Sequence, residues 1–125
     1  MRLLGTLTLV LLLAACASEA VRAPVPTAFS PLAPGTPHPE VQLAEDAQVP
    51  VSSDYVRILP RGSRWQLAGS VPQGSVYRRV DSVFTVEGEK LHEAWLVLAG
   101  SRLVGYYLPV ERAYSAIAGV QLILQ

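Results

Sequence analysis

The sequence predicts a mainly β protein: a small antiparallel barrel or sandwich of about six strands, preceded by a cleaved signal and a proline-rich tether. Three observations predict it. Between residues 55 and 124 apolar side chains recur with period two rather than 3.6. Turn sequences built on Gly and Pro punctuate them roughly every eight to twelve residues. Six of the ten prolines fall between residues 24 and 39, where they deny helix and central strand alike.

The chain has 125 residues, ten Lys+Arg against ten Asp+Glu, and a single Cys. Zero net charge with scattered Arg residues excludes a general nucleic-acid footprint, which needs clustered basic excess. One Cys excludes an intrachain disulfide framework and a thiolate-cage zinc site. The length fits one small domain once the ends are discounted.

Residues 1–16 read MRLLGTLTLVLLLAAC. Arg2 supplies a positive start, and Leu3–Leu13 form an apolar run broken only by Gly5, Thr6 and Thr8. Such a run spans about 16 Å as helix, half of a hydrocarbon core of about 30 Å, so it is a signal segment and not a membrane span. Small residues Ala14 and Ala15 then lead to Cys16. Leu13-Ala14-Ala15-Cys16 resembles the lipobox of bacterial lipoproteins. The resemblance implies a signal peptide over 1–15, cut before Cys16, whose thiol is alkylated with diacylglycerol. It implies a membrane-lipid partner through acylated Cys16. Ala17, in place of the Asp that retains such proteins at the inner membrane, implies the periplasmic face of the outer membrane. The resemblance ends at these residues and carries the anchor, not an activity.

Residues 16–39 hold the lipidated Cys and the tether. Pro24, Pro26, Pro31, Pro34, Pro37 and Pro39 are separated mostly by Ala, Ser and Thr, the composition of an extended spacer. Pro31 to Pro34 and Pro34 to Pro37 also have the spacing of a PxxP ligand. The folded domain is expected over 40–125.

Within it, Tyr55–Leu59 is a first strand. Arg64–Val71 alternates, with Trp65, Leu67, Gly69 and Val71 on one face and Gln66, Ala68 and Ser70 on the other. Val71-Pro72-Gln73-Gly74 is a turn, and Ser75–Val86 resumes with a slip near Arg79–Asp81 that predicts a bulge or bend. Glu87-Gly88-Glu89-Lys90 is the next turn. His92–Leu108 is a hairpin on Gly100-Ser101, with the Gly-first chemistry of a type II′ turn. Its register pairs Leu98 with Leu103 and Val97 with Val104. Leu96, Leu98, Leu103 and Tyr107 then share one face, and Trp95, Val97, Val104 and Tyr106 the other. Both faces are apolar, so both need cover or a partner. Residues 110–118 are a helical turn or a loop, and Val120–Leu124 a last strand.

Chemistry-bearing constellations are sparse. His38 sits among prolines. His92-Glu93 lacks the second His that a zincin helix needs, so no metal and no cofactor is expected. A Ser–His–Asp triad can be drawn through His92 and Asp81, but no Gly-x-Ser-x-Gly elbow supports it. Gly69 to Gly74 lacks the Lys-Ser/Thr of a phosphate loop. Glu87, Glu89 and Glu93 read as a solvated turn, and Arg78-Arg79 as a solvated strand edge. No catalytic residues are expected. Trp65, Trp95, Tyr106 and Tyr107 are either core or a groove for a partner protein.

Two functions fit. One is a non-catalytic, membrane-anchored envelope lipoprotein that docks a partner protein or supports an assembly, since lipoproteins of secretion and conjugation systems share this layout. The other is a ligand-binding lipoprotein whose barrel holds a lipid, glycan or peptidoglycan fragment.

Overall fold

The alternating segments form strands, and nothing else regular forms beside them: no helix occurs among the described residues, 20–88 and 90–125 of a computed structural model. Signal and Cys16 lie outside these residues. In chain order the strands are β1 (Val25–Pro26), β2 (Ser30–Pro31), β3 (Glu40–Gln42), β4 (Ala47–Pro50), β5 (Val56–Leu59) and β6 (Arg64–Val71). They continue as β7 (Gly74–Arg79), β8 (Thr85–Glu87), β9 (Leu91–Glu93), β10 (Trp95–Ala99), β11 (Arg102–Leu108) and β12 (Ala113–Gln121). The fold is all-β, a curled antiparallel half-barrel.

One sheet dominates, in the order β1-β12-β11-β10-β7-β6-β2, with β3 also on the free edge of β6. Two ribbons, β4–β5 and β8–β9, stand apart from it. The sheet closes twice. Beyond β12, Leu124 bridges Leu43, and Ala44 and Gln125 exchange backbone bonds with Ile123 and Gln42, so the C-terminus meets the chain just after β3. The other closure comes from β1 and β2. They are the two ends of the strand path, yet they belong to one short segment, residues 25–31.

Each closure encloses apolar side chains. The larger cluster includes Leu43, Leu59, Trp65, Phe84, Leu96, Leu103, Tyr106 and Leu122, covered by the two ribbons. The smaller consists of Val71, Val76, Val97, Tyr107 and Tyr114, with Phe29, Trp95, Val104 and Ala116 against it. Both faces of the β10–β11 hairpin are therefore covered, as its double apolar pattern demands.

Several expectations need correction. Residues 17–39 are expected as a spacer, but over the described part they are bound to the sheet. Val21 bridges Ile117, Val25 and Pro26 pair with Tyr114 and Ala113, and Ser30 and Pro31 with Ser70 and Gly69. The amides of Arg22, Thr27 and Leu32 donate to the carbonyls of Ala116, Arg112 and Ala68. The reason is that proline is excluded only from central strands. On an outer strand it needs no donor and blunts the edge, and Pro26 and Pro31 sit in the two outermost strands. The segment is a strap, and the folded unit begins well before residue 40.

The hairpin register also shifts. Ala99 and Leu98 pair with Arg102 and Leu103 as expected, but Val97, Leu96 and Trp95 pair with Gly105, Tyr106 and Tyr107. The extra residue is Val104, a bulge, and it exchanges the two tyrosines: Tyr106 joins Leu96 and Leu98 in the larger cluster, Tyr107 joins Val97 in the smaller. A second irregularity between Leu67 and Gly69 puts Trp65 and Val71 into different clusters instead of on one face. Residues 113–118 are strand, not helix or loop, and Ser75–Val86 is two strands separated by a bend at the expected place. The strands β1, β2, β3 and β4 are additions to the predicted set.

Candidate functional site

Phe29 organises the strap. Its ring stacks on Tyr107 with centroids 4.8 Å apart and planes 14° from parallel, and meets Trp95 edge-on at 6.0 Å. Room for it comes from Gly69, where a Cβ would lie 2.7 Å from the Phe29 ring and 2.3 Å from the Ser30 carbonyl oxygen.

The four aromatics named from the sequence divide accordingly. Trp65 and Tyr106 are fully buried. Trp65 Nε1 donates to Ser63 Oγ at 3.1 Å, its ring meets Phe84 edge-on, and the Arg79 guanidinium lies over it at 5.4 Å. Tyr106 donates to the Pro50 carbonyl at 2.6 Å, and burial pushes its phenol well above the ordinary range, opposed by Arg57. These two are core because each polar atom has a protein partner and each ring a packed neighbour. As partner-binding groups they are a correction: no surface reaches them. Tyr107 is buried and Trp95 half-buried beneath the strap, with Trp95 Nε1 donating to Glu93 Oε2 at 2.9 Å. The four do not form one groove.

A different place is open. A cleft of about 620 Å³ lies where Val21–Pro24 pass the β4–β5 turn and the β8–β9 ribbon. The turn is built locally: Ser52 Oγ accepts from the amides of Asp54 and Tyr55 at 3.2 and 3.1 Å, and Val51 N donates to Tyr55 O at 3.0 Å. Glu87 N donates to Val51 O at 3.0 Å, and Arg57 donates to Thr85 O at 3.0 Å while lying 3.5 Å from the Glu87 carboxylate. Those bonds tie one ribbon to the other. Val86 and Leu108 give the cleft an apolar lining, Arg22, Asp54, Glu87 and Lys90 supply mixed charge, and His92 adds an imidazole.

His92 lines the cleft beside an acidic side chain. Its Nδ1 lies 2.6 Å from Glu111 Oε2, a partner 19 residues away that no local motif announces. Asp81 instead pairs with Arg79 at 3.4 Å, so the triad drawn through His92 and Asp81 is not assembled. No hydroxyl is hydrogen-bonded to His92 among the described residues, and they contain no group of three or more His, Cys, Asp or Glu placed to hold a metal. Arg78 donates to Gln66 at 3.0 Å on the exposed sheet surface, and His38 lies in the exposed loop between β2 and β3. No helix of the described residues is long and apolar enough to cross a membrane.

No protein-family model matches the chain, and neither the curated proteins nor the solved structures searched give a match.

Proposed function

We propose that the chain is a bacterial envelope lipoprotein, anchored through Cys16 at the periplasmic face of the outer membrane, whose β domain docks a partner protein without catalysis and supports an envelope assembly. The observation that carries the reading is Leu13-Ala14-Ala15-Cys16 placed directly after a short apolar run. A thiol is the one good nucleophile near neutral pH at that position. Two or three acyl chains, at about 0.8 kcal/mol per buried methylene, make such an anchor effectively permanent. Lone Cys16 also suits an oxidising compartment, because no second thiol is left to mispair.

Metabolic palmitate labelling with membrane fractionation tests it. The wild type incorporates label and fractionates with the outer membrane; Cys16→Ser stays as unlabelled precursor; Ala17→Asp is labelled but held at the inner membrane. Equal label in wild type and Cys16→Ser contradicts the reading.

Ligand binding is the second reading, and the cleft favours it. Its volume of about 620 Å³ lies within the roughly 300–1,000 Å³ of small-molecule sites. A lipid, glycan or peptidoglycan fragment held there would raise the melting temperature of the wild type but not of a variant with Tyr55 and Lys90 replaced by Ala.

A further inference from the structure

From the place where the chain joins the sheet we infer that the rim of the cleft rests on the bilayer surface. This rests on the lipid-anchor reading at Cys16. Among the described residues the first fixed to the sheet is Val21, bridged to Ile117, and the next amide, of Arg22, donates to Ala116 O at 2.8 Å. Val21 lies five Cα–Cα steps along the chain from Cys16, a reach of at most about 18 Å. A free 23-residue spacer would reach some 70 Å as polyproline II. The strap removes that stand-off, because most of the spacer is spent closing the sheet. The part of the domain around Val21–Pro24 is held beside the lipid headgroups.

Tyr55 gives that part an exposed aromatic ring. Eight large hydrophobic side chains are exposed among the described residues. One of them, Tyr55, lines the cleft, and Val25, Val56 and Leu91 directly adjoin lining residues in the chain. Tyr55, 61% exposed, stands at the rim with Arg22 and Lys90, both exposed. A tyrosine ring among aliphatic side chains and basic termini is the composition that settles at a membrane–water interface. Charge adds little: Glu87 is neutralised by Arg57, and Asp54 offsets one cation. Neutral lipid is therefore sufficient for the contact.

Acylation consumes the chain's only cysteine as a thioether, so an introduced cysteine is the one free thiol of the mature protein. The test uses acylated full-length protein in phosphatidylcholine vesicles containing a nitroxide-headgroup lipid. A fluorescent thiol label is placed at the rim by Ser53→Cys or Lys90→Cys, and on the loop leaving the opposite edge strand by Thr36→Cys. All three sites are exposed. Two rim positions guard against a variant that does not fold. The rim labels are quenched and the Thr36 label is not. A Gly/Ser insertion of about 20 residues between Ser18 and Glu19 abolishes rim quenching, since it restores a flexible stand-off. Acylated, vesicle-bound protein with equal quenching at rim and loop overturns the inference while leaving the anchor intact. A free thiol at Cys16 by mass spectrometry overturns the anchor and the inference with it. Rim labels protected in intact cells but unquenched in vesicles assign the surface to a protein partner and overturn the lipid contact.

Discussion

Phe29 stacks on Tyr107 at 4.8 Å across 78 residues of sequence, and this contact joins the proline-rich segment to the sheet. Phe29 comes from a segment whose composition resembles a spacer; Tyr107 comes from the most regular hairpin. The pair closes the smaller cluster and makes β1 and β2 part of the domain.

Phe29→Ala should lower the stability of the mature protein by about 1–3 kcal/mol, below the cost of truncating a fully buried Phe because the ring is half-buried. It should also expose the strap to cleavage between residues 24 and 32. Urea unfolding with limited proteolysis reads both effects, and a strap that resists proteolysis as wild type does contradicts its dependence on Phe29.

Gly69→Ala should act through the same contact. The added Cβ falls 2.3 Å from backbone of the strap, which must move. The cost is about 1–3 kcal/mol in residues 20–125, as for other overpacked sites. In residues 40–125, which lack Phe29 and Ser30, it should nearly vanish. A double-mutant cycle measures that coupling, and additivity contradicts it.

Gly100 has φ +65°, Ser101 is not among the positive-φ residues, and nothing lies within 4 Å of a Cβ added at Gly100. The demand for Gly there is conformational, as in a II′ turn. Gly100→Val should therefore cost about 1–3 kcal/mol and Ser101→Ala much less. Equal unfolding midpoints would contradict this turn.

Tyr106→Phe removes the 2.6 Å bond to Pro50 O and should cost about 1 kcal/mol at pH 7. The pH dependence is the sharper readout. Burial raises the phenol's pKa, so above about pH 10 the unfolded chain loses a proton that the native state keeps. The unfolded state then binds fewer protons, and stability present below pH 10 is lost as pH rises. Urea midpoints between pH 9 and 11 should fall less steeply for Tyr106→Phe. Some slope persists, because burial also raises Tyr114. Identical slopes would contradict the assignment.

Much of this fold is legible from alternation and turn chemistry. Residues 64–71, the bend near residue 80 and the Gly100-Ser101 turn all appear where period two and Gly placement put them. The bulge at Val104 is not, because when both faces of a strand are apolar a slip of one residue leaves the pattern unchanged. Gly105 and Gly69, glycines inside strands, are the marks these irregularities leave in the sequence. Proline density marks outer strands as well as spacers, so composition alone does not distinguish the strap from a tether. The cleft brings together residues from 21–24, 52–55 and 86–92, and the His92–Glu111 pair spans two separate segments. Only the fold unites them.

The proline-rich segment is structural, and urea unfolding of residues 20–125 against residues 40–125, followed by tryptophan emission, tests this most directly. The strap covers Tyr107 and Trp95. Its removal should lower the stability by at least about 2 kcal/mol, the worth of one large apolar side chain, and shift native emission to the red as Trp95 meets water. Equal midpoints and unchanged emission would show that the segment is a spacer after all.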